Sequence, residues 1–529
     1  MTDAPPPPGP LAQDPVAELG RKRYLIPLLA VFLAVAAWCS VNYNRHTPAG
    51  YDSGIFASGG FHLLRGSVLY RDIWDHKPPG AFLLNAMALG YGEGTLASVR
   101  RVEAGFLAVG AVLLFLTGVR LLRRITAPLL IAFLFILHIS DPRVFEGGNL
   151  TEIYAAVFVL AGIFLCVLAL ETRREAQLAC AAGSGLFFAL AALTKEPFLL
   201  SALPWFLLLA LARKRSWRLC LGRAACFIAG AALPAMAFFL YLKSNGALHD
   251  WLDTLEFGFR QASVTADAGS LFDRYLLNVR PAYENVLGQT WMGLTLLTLG
   301  GVALISAHRR LFVPLAAVAA LFLDFTGTLI STRAAGHYYI QLLPSFALCC
   351  LCGVALLRDL FRPMGRYAYL VVAVFMAALI VVDDSAWAAF DRRCFVTPRD
   401  PQIGPMASYI RDNSRESDTV WAPTGDFSRC YLEAGRISPT RYYFIAPHLF
   451  VSTSRAGAAE RIVELREKLL LRPPAYLMLT PSDGETFKLI GLDDWLRSEY
   501  RPLAVYEAPG GQLYKRRATA NGGGVGAHR

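Results

Sequence analysis

Residues 149–174, NLTEIYAAVFVLAGIFLCVLALETRR, decide the fold. Between Glu152 and Glu171 the run carries no charge, and it offers the roughly twenty apolar positions a helix needs to cross hydrocarbon. Lipid supplies no partner for a bare peptide group, so such a segment must satisfy its own backbone as a helix. Arg173 and Arg174 close it, the basic punctuation of a cytoplasmic end.

Outward from this run, comparable stretches recur at 24–42, 102–119, 125–139, 151–170, 178–194, 197–212, 219–242, 284–306, 311–330, 338–357 and 367–386. They predict an all-α polytopic membrane protein of about eleven transmembrane helices. Composition agrees: over 529 residues, 55% are hydrophobic and 17% charged, which excludes an ordinary soluble protein. The net charge of +11 does not point to nucleic acid, because Lys and Arg fall in short clusters between apolar runs.

Those clusters set a topology. Arg21-Lys22-Arg23 precedes the first run with no small-residue cleavage site, which predicts a retained anchor and a cytoplasmic N-terminus. Every second connection is then basic: Arg120/Arg123/Arg124, Arg173/Arg174, Arg213/Lys214/Arg215/Arg218, Arg309/Arg310 and Arg358/Arg362/Arg366. Residues 43–101, 140–150, the turn at Lys195-Glu196, 243–283, 331–337 and everything beyond 387 become extracytoplasmic.

The expected domains are a disordered tail at 1–23, a membrane domain at 24–386, a small extracytoplasmic α/β domain at 387–515 and a disordered tail at 516–529. In the third, Met406–Ile410 and Ala459–Leu471 read as helices, and Thr419–Trp421, Ala475–Leu479 and Leu503–Tyr506 as strands. Eight of the ten cysteines lie in or beside apolar runs without metal-ligand spacing. For Cys394 and Cys430, a disulfide and free thiols both stay open.

A charge at mid-bilayer costs at least about 2.5 kcal/mol, so chemistry belongs at helix ends. The first long loop holds Tyr51-Asp52-Ser53-Gly54 and, further on, Asp75-His76-Lys77-Pro78-Pro79-Gly80. Ile55, Phe56, Gly59 and Leu63 share a helical face, predicting a helix along the membrane surface that starts at Asp52. Two readings remain open. Asp52 is a base for an attacking hydroxyl while Lys77 and Arg71 steady a departing phosphate, or Asp52 caps its helix and Lys77 snorkels to headgroups.

Other positions carry the same ambiguity. Lys195 ends an apolar run, as a phosphate contact or an interfacial anchor. His337, Tyr338 and Tyr339 follow Arg333, as sugar or phosphate ligands or as an aromatic belt. Asn149 and Glu152 have the spacing of a capping box at a helix start.

Taken in order, Tyr51-Asp52-Ser53-Gly54, Asp75-His76-Lys77-Pro78-Pro79-Gly80, Asn149-Leu150-Thr151-Glu152, Leu193-Thr194-Lys195-Glu196-Pro197 and Gly336-His337-Tyr338-Tyr339-Ile340-Gln341-Leu342-Leu343-Pro344 resemble the GT-C superfamily of integral-membrane glycosyltransferases. The resemblance covers about residues 20–360 and lies nearest the branch with protein O-mannosyltransferases, lipid A aminoarabinose transferase and lipopolysaccharide core galacturonosyltransferases.

The resemblance implies a polyprenyl-phosphate sugar donor, a glycan, lipid or protein acceptor, and a bacterial-type inner membrane. It implies Asp52 and, taken over Glu146 and Asp141, Glu152 as catalytic carboxylates, and Lys77, Arg71, Lys195 and Arg333 at the donor phosphate. Tyr51, His76, His337, Tyr338 and Tyr339 would contact substrate. This chain has Glu152 where many members carry Asp, and His76 where many carry Glu. No cofactor is required; a divalent metal has no support in the sequence. The competing class is a transporter or flippase of lipid-linked sugars, which needs charges through the membrane depth; here only Asp324 interrupts an apolar run.

Overall fold

The computed structural model describes residues 25–44, 51–212, 217–264, 312–329, 335–360, 403–445, 455–480, 483–508 and 511–517, with isolated positions at 273, 275, 276, 279 and 367. The predicted spans at 284–306 and, apart from Tyr367, at 367–386, the predicted tail at 1–23 and that at 516–529 beyond Arg517, Cys394 and Arg333 lie outside this set.

The described chain is mainly helical. Its membrane part runs through α1 (Leu25–Asn44), α2 (Tyr51–Leu64), α3 (Pro79–Tyr91), α4 (Leu96–Leu122), α5 (Thr126–Ile139), α6 (Thr151–Glu171), α7 (Arg174–Ala192), α8 (Leu199–Leu211), α9 (Trp217–Ser244), α10 (Leu248–Val264), α11 (Phe312–Thr328) and α12 (Leu343–Leu360). By length and hydropathy α4, α6, α9 and the Glu175–Ala192 part of α7 can cross a membrane; Leu25–Ser40, Thr126–Ile139, Glu196–Leu211 and Phe312–Thr328 are shorter apolar stretches.

Small residues let these helices touch. A Cβ at Gly185 of α7 would strike the Phe227 carbonyl, and one at Gly230 of α9 the Ala182 carbonyl, so glycine permits direct backbone contact. Ser184 Oγ donates to the Gly162 carbonyl at 2.8 Å, joining α7 to α6. Asp324 is buried and accepts hydrogen bonds from Ser201 and, at 2.6 Å, from Ser345. It ties α11 to α8 and α12 rather than lining a path of charges.

Past the bundle come α13 (Ile403–Asp412), α14 (Cys430–Ala434), α15 (Arg455–Leu471), α16 (Asp483–Leu489) and α17 (Asp493–Glu499), with β1 (Val420–Trp421), β2 (Tyr476–Leu479), β3 (Tyr500–Ala508) and β4 (Gly511–Arg516). The sheet order is β1-β2-β4-β3, with β1 parallel to β2 and the other pairings antiparallel. The strand β4 and the helices α16 and α17 were not anticipated from sequence. Cys430 is buried.

The first loop folds into the protein. Residues Ser53 to His62 of α2 are all buried, clamped between the bundle and the distal domain. Gly59 and Gly60 admit Phe82 and Asn85 of α3, while Ser58 Oγ donates to the Ser428 carbonyl at 2.6 Å. Trp74 Nε1 donates to Asp253 of α10, whose carboxylate also pairs with Arg461 at 2.8 Å; Arg441 pairs with Asp250 at 2.8 Å.

Candidate active site

Local chemistry brings two oppositely charged side chains together from the first loop. Asp52 lies in the first turn of α2, where free amide groups favour a carboxylate. Lys77 is aimed by its neighbours: its N–H donates to Asp75 Oδ1 at 2.9 Å, and Tyr70 Oη donates to its carbonyl at 3.1 Å. Pro78 is extended and Pro79 opens α3, so the chain turns inward directly after the lysine. Gly80 N–H bonds the Leu193 carbonyl at 2.8 Å, and a Cβ at Gly80 would collide with Thr194. The close approach sets the Lys77 loop beside the end of α7.

That end delivers Lys195. After Ala192 the chain leaves the helix, Lys195 is extended, and a 3-10 turn at Glu196–Phe198 leads into α8. Lys195 Nζ lies 2.9 Å from Glu152 Oε1. Glu152 is not half of a capping box: no side chain caps α6, and Asn149 bonds elsewhere. The predicted helix start at 338 is a 3-10 segment, Gly336–Leu342, with Pro344 in the first turn of α12. This segment carries His337 inward, where Nδ1 meets Glu146 Oε2 at 2.7 Å and Nε2 lies 4.0 Å from Asp52 Oδ2.

Asp52 Oδ2 and Lys77 Nζ are 2.8 Å apart, so the site alternates in sign: Lys77 with Asp52, His337 with Glu146, Lys195 with Glu152. Glu152 is sealed, 2% exposed, whereas the Asp52 and Glu146 side chains are 25% and 36% exposed and form the open edge. Burial alone would raise the Asp52 carboxyl, but Lys77, then His337 and Lys195, hold it down at about 2. Burial opposes the charge on Lys77 and Lys195, yet Asp52 raises the first and Glu152 the second. His337 is likewise depressed by burial and, on balance, raised by Glu152, Glu146 and Asp52. Burial pushes Asp75 up to about 6, with Lys77 opposing.

Other predicted residues fare differently. Tyr338 packs its ring against His337, centroids 4.5 Å apart, and under Lys195 Nζ at 5.0 Å. Tyr51 presses on the distal domain at Gly425, and His76 sits beside Asp75 at 3.6 Å and against Phe257. Two predicted residues have their described contacts elsewhere. Tyr339 is 1% exposed and packs in the bundle core. Arg71 turns away to Asp72, at 2.8 Å, and to the Asn245 carbonyl. Glu146, passed over in sequence for Glu152, is part of the cluster; its signal was the following Gly147-Gly148-Asn149. Among the described residues no group of three or more His, Cys, Asp or Glu is placed to hold a metal.

A helical membrane bundle, a long folded first loop bearing paired charges at one mouth, and a distal α/β domain over that mouth make up the described architecture. Solved structures that share this architecture include two forms of ArnT from Cupriavidus metallidurans. The form bound to undecaprenyl phosphate matches with a TM-score of 0.62 at 13% identity, over 95% of this chain and 100% of that one. The apo form matches at 0.60 and 12%, over 93% and 98%. No family model and no curated protein sequence matches the chain. The likeness is one of fold.

Proposed function

We propose that the protein is a membrane glycosyltransferase moving a sugar from a polyprenyl-phosphate carrier to an extracytoplasmic acceptor. The observation that carries this reading is the Asp52–Lys77 pair, 2.8 Å apart at the open edge of the cluster. Shared fold with a protein whose structure holds undecaprenyl phosphate supports the donor class.

In this reading Asp52 takes the acceptor hydroxyl's proton as that oxygen attacks the anomeric carbon. The bond from that carbon to the phosphate oxygen breaks, its electron pair leaves with polyprenyl phosphate, and Lys77 and Lys195 stabilise the charge. A single displacement inverts the anomeric centre. Glu152 holds Lys195; Tyr51, His76, His337 and Tyr338 contact substrate; Arg333 adds a cation at the phosphate. The chain sits in a bacterial-type inner membrane, N-terminus cytoplasmic, with the 387–515 domain outside. The acceptor is a glycan, lipid or protein hydroxyl.

The test is release of undecaprenyl phosphate from radiolabelled undecaprenyl-phosphate sugars by detergent-purified protein with cell-envelope extract as acceptor. Sugar transfer by the wild type, slowed by about 100-fold or more in Asp52→Asn, supports the reading. Movement of intact lipid-linked sugar across a bilayer without bond cleavage would establish the transporter class instead.

A further inference from the structure

Four consecutive residues, Glu146, Gly147, Gly148 and Asn149, all have positive φ: 44, 89, 78 and 55°. For the two non-glycines this backbone costs roughly 1 kcal/mol or more each, and such cost persists where surroundings fix it. The fixing contacts are specific. Asn149 donates to the Ser53 carbonyl at 3.1 Å and to Asn85 at 2.9 Å, and accepts from Tyr154 Oη at 2.9 Å; the buried Glu103 carboxylate takes its N–H. Asn149 therefore anchors the loop to the residue after Asp52, and Glu146 is held out over His337.

Glu146 grips that histidine twice, accepting from its N–H at 3.2 Å and from Nδ1 at 2.7 Å. With Nδ1 so engaged, Nε2 is the atom facing Asp52. It is buried, has no hydrogen-bond partner among the described residues, and lies 4.0 Å from Asp52 Oδ2. Among the described residues the charged groups around the ring are Asp52 from α2, Glu146 from its loop, Glu152 from α6, and the more distant Lys77 and Lys195, with the Tyr338 ring on its edge.

We infer that Glu146 is a positioning residue of the active site: it holds His337 as an imidazolium whose Nε2–H faces Asp52. Lys77 and His337 approach the same carboxylate oxygen, leaving the other for the acceptor hydroxyl. When a donor phosphate draws Lys77 away, His337 remains as the counter-charge that keeps Asp52 ionised and oriented. His337 gives up no proton in this scheme; the hydroxyl proton goes to Asp52. This rests on the glycosyl-transfer reading above.

The test is the pH profile of kcat/KM for undecaprenyl phosphate release by full-length protein in detergent. If the imidazolium is needed, activity is present below the raised His337 pKa and falls as pH rises through it. Glu146→Gln keeps an acceptor for Nδ1 but removes a charge, so the alkaline limb should move to lower pH. His337→Gln should lower activity and abolish that limb. Undecaprenyl phosphate binding by both variants separates a folding failure from a catalytic one. A wild type without turnover sinks the functional reading and this inference together. Turnover with the same alkaline limb in the wild type and both variants sinks this inference alone.

Discussion

The Lys77 ammonium lies 2.8 Å from Asp52 Oδ2 and 4.6 Å from the centre of the Phe56 ring, held between a carboxylate and an aromatic face. Burial disfavours the ionised Asp52, and the surrounding cations overcome it, leaving a pKa of about 2. A carboxyl depressed from 3.8 stabilises the fold fully above that ordinary value. The contribution is lost as pH falls towards about 2. The free protein therefore has Asp52 ionised at neutral pH. Between about pH 4 and 7, kcat/KM should show no step that vanishes in Asp52→Asn. Asp52→Asn itself should cut kcat by about 10²–10⁴-fold while undecaprenyl phosphate still binds. An Asp52-dependent step near pH 6 would show that Lys77 is not paired with it in solution.

Lys195 and Glu152 make the more deeply buried pair, at 2.9 Å, and Thr151 Oγ1 supplies Glu152 with another hydrogen bond at 2.8 Å. Deleting one partner strands a charge, a loss of about 3–5 kcal/mol, whereas deleting both removes the stranded charge as well. Lys195→Met should lower the melting temperature sharply, and Lys195→Met with Glu152→Gln should recover most of it, with transfer abolished in each. Equal melting temperatures for single and double variants would mean that the pair does not form.

Gly148 tests the left-handed loop. Its φ is +78°, and a Cβ there would come within 2.5 Å of Phe145 Cζ and 2.7 Å of Glu103 Oε2. Gly148→Ala is expected to cost at least about 2 kcal/mol. It should reduce activity further than the folded fraction explains, because Glu146 and Asn149 move with it. Gly105, where a Cβ meets nothing within 4 Å, is the control: Gly105→Ala should leave both stability and activity near wild type. Matching thermal and kinetic behaviour in the two variants would refute the constraint.

What was legible in the sequence follows from what is local. Apolar length alone marks α4, α6 and α9, because bilayer thickness fixes helix length. Asp52 and Lys77 stand out because helix-start and proline signals flank them. Their pairing, and that of Lys195 with Glu152, depends on how α2, α3, α6 and α7 pack, which no local pattern encodes. The burial of α2 was hidden for the same reason: its partners Ser428 and Tyr443 lie more than 360 positions away in sequence. Tyr338 and Tyr339 are identical in type and adjacent, yet the 3-10 turn sends one to Lys195 and the other into the core. Glu146 lost to Glu152 because a carboxylate at a helix start is a familiar signal and one in a left-handed loop is not.

His62 joins the first loop to the distal domain and gives that junction a pH dependence. Its Nδ1 is 2.7 Å from the Ser58 carbonyl and its Nε2 accepts the Ser438 N–H at 3.0 Å. A carbonyl only accepts and an amide N–H only donates, so the two contacts fit a single neutral tautomer, with the proton on Nδ1. A second proton would point Nε2–H at the Ser438 amide. Burial depresses the imidazole from 6.5 to about 4, against a smaller pull from the Ser58 carbonyl. Below about pH 6.5 the unfolded chain binds a proton that the folded one refuses, so stability rises with pH across this window. The contribution is complete above about 6.5 and is lost, at about 1.4 kcal/mol per unit, as pH falls towards 4. The protection of the Ser438 amide, measured against its intrinsic exchange rate at each pH, should therefore fall as pH drops over that range, and protease should begin to release the distal domain. His62→Gln, which has no proton to gain, should show weaker docking at neutral pH and a flatter response to acid. Equal acid sensitivity in the variant and the wild type would place the junction's pH response on another group.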